Sequence, residues 1–246
     1  MPLDSFHILA MAITAFSVGF FKATLGLAIG TLLVPVMVFI WPTRFVFGII
    51  AVQMWLSDYF AIKLFWKKWD GRLVKLVLPG LFFGILLGTY LLVLMPDYWL
   101  RKGLGAVCLF SAGLQAKREF AREVSIPRIS AWMGHGIGFT AGTVSTLFHS
   151  GGMILGLYLL SQGLTKTSLV ATVIAIWIFM NPVKLSSYWM GGVVDLTMIV
   201  TGILAFPLTF AGLWAGKRAL EWAPQRAYNL SVLVLSAAAA AKLLAE

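Results

Sequence analysis

Charge is what this sequence has little of. Only 11% of its 246 residues are Asp, Glu, Lys or Arg, against about 25% in ordinary soluble proteins. With 60% of the residues hydrophobic, a soluble domain has no way to hide its apolar surface. A soluble fold is therefore excluded, and no polar stretch is long enough to suggest a soluble appendage. Alternating short strands are missing, which excludes an outer-membrane barrel. Cysteine is nearly absent: Cys108 stands alone and has no internal disulfide partner. The three histidines, His7, His135 and His149, have no metal-ligand spacing. There is no His-Glu-x-x-His, no Gly-x-Ser-x-Gly elbow and no phosphate-binding loop. The expectation is no metal, no cofactor and no ATP hydrolysis by this chain. The opening "MPLDSFHILAMAITAF" lacks the basic leader of a signal peptide.

Long apolar runs are what the sequence has. They lie at about 6–21, 23–41, 45–62, 74–95, 103–116, 130–148, 150–162, 167–189, 196–216 and 228–245. Crossing a ~30 Å hydrocarbon core takes roughly 20 helical residues. Segments 6–21 and 150–162 are short for that, and 150–162 reads as one arm of a re-entrant hairpin. The net charge of +10 comes from basic residues in short loops, which suits anionic lipid and not nucleic acid. Lys63, Lys67, Lys68 and Arg72 place one loop in the cytoplasm, as do Lys117, Arg118, Arg122 and Arg128, and Lys217, Arg218 and Arg226.

The chain repeats itself. Pro79, Gly84, Gly88 and Pro96 recur at equal spacing as Pro207, Gly212, Gly216 and Pro224. Gly19-Phe20 pairs with Gly138-Phe139, and Trp55 loosely with Trp177. The loop at 63–72 is basic, whereas its counterpart "SSYWMGGVVD" (186–195) has no Lys or Arg. The halves therefore face opposite ways. The expected domains are an N-terminal repeat at 1–116, a cytoplasmic linker at 117–129 and a C-terminal repeat at 130–246. The fold class is an all-α polytopic membrane protein with two inverted repeats of about five segments each, some interrupted or re-entrant.

Each half opens on an interruption rich in small residues: "GFFKATLGLAIGT" (19–31) and "GFTAGTVSTLFHSGG" (138–152). A broken helix in a membrane presents free amide N–H groups at the start of its second piece, and these attract anions. The interruptions add Lys22 and His149, and the hydroxyls of Thr24, Thr31, Thr143, Ser145, Thr146 and Ser150. Together they form a candidate oxyanion cradle that lines a cavity. The plainer alternatives stay open. Lys22 is either a cytoplasmic turn residue or the fixed cation of an anion site. His149 either binds and titrates or only hydrogen-bonds backbone. The glycines either break helices or only pack them.

Further polar residues inside apolar segments are Gln53, Asp58, Thr172 and Asn181, candidates for coupling or gating. Asp58 also has a plainer partner in Lys63, and Asn181-Pro182 also reads as a kink. Trp55 and Trp177 fall in mid-segment, where packing is the simpler role.

These motifs resemble the sulfite exporter TauE/SafE family, also described as toluene-sulfonate uptake permeases. The resemblance rests on "GFFKATLGLAIGTLLVP" (19–35), "GFTAGTVSTLFHSGGMILGL" (138–157), "KTSLVATVIAI" (166–176), "LPGLFFGILLG" (78–88) and "AFPLTFAGLWAG" (205–216). It covers nearly the whole chain and implies a secondary carrier for small anions such as sulfite, organosulfonates or related carboxylates. It also implies that Gly26, Gly30, Gly151 and Gly152 contribute to the site. Here the first glycine triplet is reduced to Gly26 and Gly30, and Lys22 and His149 depart from the family pattern.

The expectation is an integral protein of a bacterial-type inner membrane, with a small anionic substrate, membrane lipids and protons as partners. Two other classes fit the composition. One is a membrane-embedded enzyme or cofactor-handling subunit built on His149, Ser150 and Asp58. The other is a passive anion channel. Oligomeric state is not legible.

Overall fold

The computed structural model describes residues 5–25, 29–64, 66–120, 129–222 and 225–245. They form eleven α-helices and a short 3-10 turn, with no strand among the described residues. The helices are α1 (Ser5–Leu25), α2 (Ile29–Val38), α3 (Thr43–Leu64), α4 (Gly71–Leu94), α5 (Asp97–Phe120), α6 (Gly134–Phe148), α7 (Gly151–Ser161), α8 (Lys166–Met190), α9 (Leu196–Leu204), α10 (Phe206–Trp222) and α11 (Gln225–Ala245). The protein is an all-helical polytopic membrane protein. Helices α3, α4 and α8 are each long and apolar enough to span. Helices α9 and α10 are together long and apolar enough to span, and are bent by 49° at their break.

That bend is a departure from the continuous segment expected at 196–216. Pro207 is the second residue of α10. It offers no N–H, and its ring displaces the carbonyl one turn back. The break at Ala205 follows from this. Proline does not break α8, which runs unbroken through Pro182.

The two faces of the bundle are fixed by contacts between helix ends. On one face lies the turn between α3 and α4, where the Asp70 amide donates to Thr172 Oγ1 near the start of α8 at 2.9 Å. On the other face Arg44, at the start of α3, donates to the Val93 and Met95 carbonyls at the end of α4 (2.9 and 3.1 Å). There Thr89 and Ser187 share a hydrogen bond of 2.8 Å. Helices α4 and α8 thus run the same way and α3 runs against them.

Helices α6 and α7 do not cross. At 15 and 11 residues they are about 22 and 16 Å long, short of the ~30 Å core. The pair turns at His149–Ser150, and α7 returns along α6. Gly151 packs on the Ala141 carbonyl, while the Tyr158 hydroxyl reaches back to Gly134. Gln162 Nε2 closes the base on the Ile129 carbonyl at 2.8 Å. The second interruption is therefore a re-entrant hairpin entering from the Asp70 face.

The first interruption forms a hairpin from the opposite face. Helix α2 has ten residues. A cleft along the pair is lined by Leu9 and Phe21 of α1, and by Leu33 and Ile40. One continuous helix would hold Leu9 and Ile40 roughly 46 Å apart, so the pair must double back. The chain leaves α2 directly into the start of α3, on the Arg44 face.

The halves pack by exchange. Helix α1 lies against α10, α6 against α4, α5 against α11 and α3 against α8. A Cβ on Gly80 or Gly84 would overlap the His135 or Phe139 carbonyl, and one on Gly212 or Gly216 the Phe16 or Phe20 carbonyl. With Gly19-Phe20 matched to Gly138-Phe139, the packing equates Gly84 with Gly216. That is one helical turn away from the sequence match with Gly212. Helix α4 carries glycine at 80, 84 and 88, so the match slides along its own repeat.

Candidate functional site

The start of α2 meets the turn of the second hairpin inside the bundle. Gly30, in the first turn of α2, stands so close to the second tip that a Cβ would overlap the His149 carbonyl. Both α2 and α7 begin here, and the first amides of a helix have no acceptor within it. The interruptions named from sequence are therefore brought together, with two half-helix N-termini converging. Gly26 lies outside the described residues. Thr24 and Thr31 lie in the last turn of α1 and the first turn of α2.

Lys22 is not in an exposed turn. Its ammonium lies 2.6 Å from Asp58 Oδ1, with side chains only 10% and 5% exposed. It also donates to the Met54 carbonyl at 2.9 Å. Asn181 Nδ2 donates to the other Asp58 oxygen at 2.6 Å. Asp58 pairs with Lys22 and not with Lys63, which lies 5.1 Å from the Tyr59 ring centroid. Helices α1, α3 and α8 are thus tied by one neutral triad. Removing either charge would strand the other in a medium where an unpaired ion costs several kcal/mol.

His149 is the turn residue of the second hairpin. It caps α6 with φ 54°, the left-handed region, an uncommon state for a non-glycine residue. It is 5% exposed, and neither ring nitrogen has a hydrogen-bond partner. Its ring lies 5.5 Å from that of Phe47. The reading in which His149 only bonds backbone does not describe this ring. Ser150 Oγ donates to the Phe148 carbonyl at 2.9 Å, and Thr146 Oγ1 to Gly142 at 2.9 Å. Thr143 donates across to the Gly84 carbonyl at 3.1 Å. Gly151 and Gly152 are buried in the first turn of α7.

Gln53 is fully buried on α3, with both side-chain amide atoms unpartnered. Thr172 is at the Asp70 face, bonded to Ser168 and Asp70, remote from the tips. Trp177 packs partly buried into an apolar cluster with Leu155, Val173 and Ile176.

Sequence reading missed Lys184. It lies on α8 one turn beyond Asn181, is 2% exposed, and donates to the Ser145 carbonyl at 2.7 Å. The Ser145 hydroxyl is 3.5 Å away. Tyr188, a turn further on, donates to the Thr146 carbonyl. The signal was available: an ionisable residue inside an apolar span is a functional candidate by default. Helix α8 therefore addresses both hairpins, the first through Asn181 and the second through Lys184.

No group of His, Cys, Asp and Glu among the described residues is arranged to hold a metal ion. Comparison with curated proteins and with solved structures returned no match. The family model for "Sulfite exporter TauE/SafE" matches residues 11–243. A match over nearly the whole chain, on paired hairpins set in a helical membrane bundle, places this protein in the sulfite exporter TauE/SafE family of membrane transporters.

Proposed function

We propose that the chain is a secondary carrier that moves a small anion such as sulfite, an organosulfonate or a related carboxylate across a bacterial-type cytoplasmic membrane. The observation that carries this reading is the contact between the start of α2 and the turn of the second hairpin, which come from opposite faces. Such a junction is reachable from either side if one hairpin moves against the other. Inverted repeats with broken helices and a midplane site are a transporter architecture. The exchange of partners between α1–α10 and α6–α4 supports the inverted pairing of 1–116 with 130–246. The amides of Gly30, Gly151 and Gly152 supply donors, and Lys22 and His149 line the approach. Gln53, Asp58 and Asn181 couple hairpin movement to α3 and α8, a role supported for Asp58 and Asn181 by their link to Lys22.

The backbones of Gly30 and His149 meet with no room for a side chain between them, which supports a carrier over an open channel. Moving one charge across 100 mV is worth about 2.3 kcal/mol, so proton or potential coupling is sufficient to drive accumulation. Flux of sulfite and methanesulfonate into proteoliposomes, under an imposed pH gradient or potential, tests the reading. Flux that depends on either gradient supports it. Flux of neither anion, under any gradient, contradicts it.

A further inference from the structure

We propose that the anion is a small monovalent oxyanion and that Lys184, not Lys22, is its counter-ion. This rests on the anion-carrier reading and specifies its substrate class. Asp58 is the only acid among the described residues that lies away from a helix end. Asp70 and Asp195 cap α4 and α9, and Asp97 opens α5. Glu119 and Glu221 lie in the last turns of α5 and α10. Asp58 is already committed to Lys22 at 2.6 Å. Lys184 is equally buried, and no carboxylate lies within ion-pair distance of it among the described residues. Among the described residues Lys184 is therefore the buried basic group with no acid to match it.

The surroundings of the Lys184 amine hold groups that can bind an anion. The Ser145 carbonyl accepts both Lys184 Nζ at 2.7 Å and the His149 backbone N–H at 2.9 Å. The ammonium is thus held at the second hairpin tip, beside the start of α7. His149, with two unpartnered ring nitrogens in a 5% exposed side chain, occupies the same turn. The Tyr188 ring lies 5.5 Å from the Lys184 nitrogen. A buried ammonium has three donors, and carbonyl and hydroxyl oxygens of Ser145 do not cancel its charge. One monoanion would cancel it and accept from the free donors around the tip. A dianion would leave a negative charge buried.

The simpler role for Lys184 is to cap α6, because a cation is favourable at a helix C-terminus. The test separates the two. Purified wild-type protein is titrated with methanesulfonate, which is monovalent at all working pH, and with sulfate, which is divalent, at constant ionic strength. Melting temperature is the readout, since a ligand of the folded state raises it with the logarithm of its concentration. Methanesulfonate is expected to stabilise the wild type at concentrations at least tenfold below sulfate. Lys184→Met is expected to lose the response and Lys184→Arg to keep it. A Lys184→Met protein that responds like wild type overturns the assignment but leaves the carrier reading intact. Equal or better stabilisation by sulfate overturns the monoanion, and this comparison needs no variant to fold. A wild type that responds to no anion, sulfite included, overturns the anion-carrier reading itself.

Discussion

Lys184 and His149 meet on one oxygen. The Ser145 carbonyl accepts the Lys184 ammonium at 2.7 Å and the His149 backbone N–H at 2.9 Å. A helix that crosses the membrane, α8, is thereby fastened to the turn of a hairpin that does not. The same helix reaches the other hairpin one turn earlier, through Asn181, Asp58 and Lys22. Movement of either hairpin must break or carry one of these links.

The Lys22–Asp58 link makes a prediction about stability. Either Lys22→Met or Asp58→Leu alone leaves a buried charge without its partner, a loss of about 3–5 kcal/mol. The double variant removes both charges and is expected to recover most of that loss. A double-mutant cycle on thermal or denaturant unfolding in detergent reads the coupling. Additive single effects would show that the pair is not formed in the folded protein.

His149 predicts a conflict between stability and function. Its φ of 54° is a state that glycine adopts freely and histidine does not. His149→Gly is expected to raise the stability of the ligand-free protein by about 1 kcal/mol. The same change removes a ring with two unpartnered nitrogens, and anion flux is expected to fall tenfold or more. A variant that gains stability and retains full flux would restrict His149 to a turn residue.

The tip contact is tested at Gly30. A Cβ there has no room beside the His149 carbonyl, and the obstacle is backbone, which cannot rotate away. Gly30→Ala is expected to impair flux at least tenfold while the protein still purifies as a folded species. Unchanged flux would mean that the tips do not pass in contact during transport.

Helix packing is tested at Gly84 and Gly212. These positions bring α4 onto α6 and α10 onto α1 at backbone contact. Gly84→Leu and Gly212→Leu are each expected to cost more than the ~1–3 kcal/mol typical of overpacking, because backbones and not side chains must separate. Melting temperatures measure the effect. Gly136, which faces open space, is the matched control and is expected to accept alanine with little change.

Much of this architecture is legible in the sequence because membrane burial is read from hydrophobicity alone. Runs of apolar residues locate the helices, and the short run at 150–162 already marks α7 as too short to span. The glycine-rich interruptions locate the start of α2 and the turn of the second hairpin. The bend at Ala205 was not read, because Pro207 lies at the start of α10 within an uninterrupted apolar run. The repeat register slipped by a turn because α4 bears three evenly spaced glycines. Lys22 and Asp58 were both singled out, but their pairing was not, since it joins residues 36 positions apart on α1 and α3. Lys184 is obscured in the sequence by the neighbouring Asn181-Pro182, whose pattern points to a kink. Thr172 was read as a coupling residue, yet its hydroxyl accepts from Asp70 at the membrane face. We propose that it secures the α3–α4 turn, and Thr172→Val is expected to leave flux unchanged.

The central claim is that the two hairpin tips form one alternately accessible anion site. Counterflow measures it most directly. Proteoliposomes are loaded with unlabelled methanesulfonate and diluted into labelled methanesulfonate with no other gradient. A carrier exchanges bound anion across the junction, so the account predicts transient accumulation of label above its equilibrium level, lost in Lys184→Met. Simple equilibration of the label with no overshoot in wild type would contradict it.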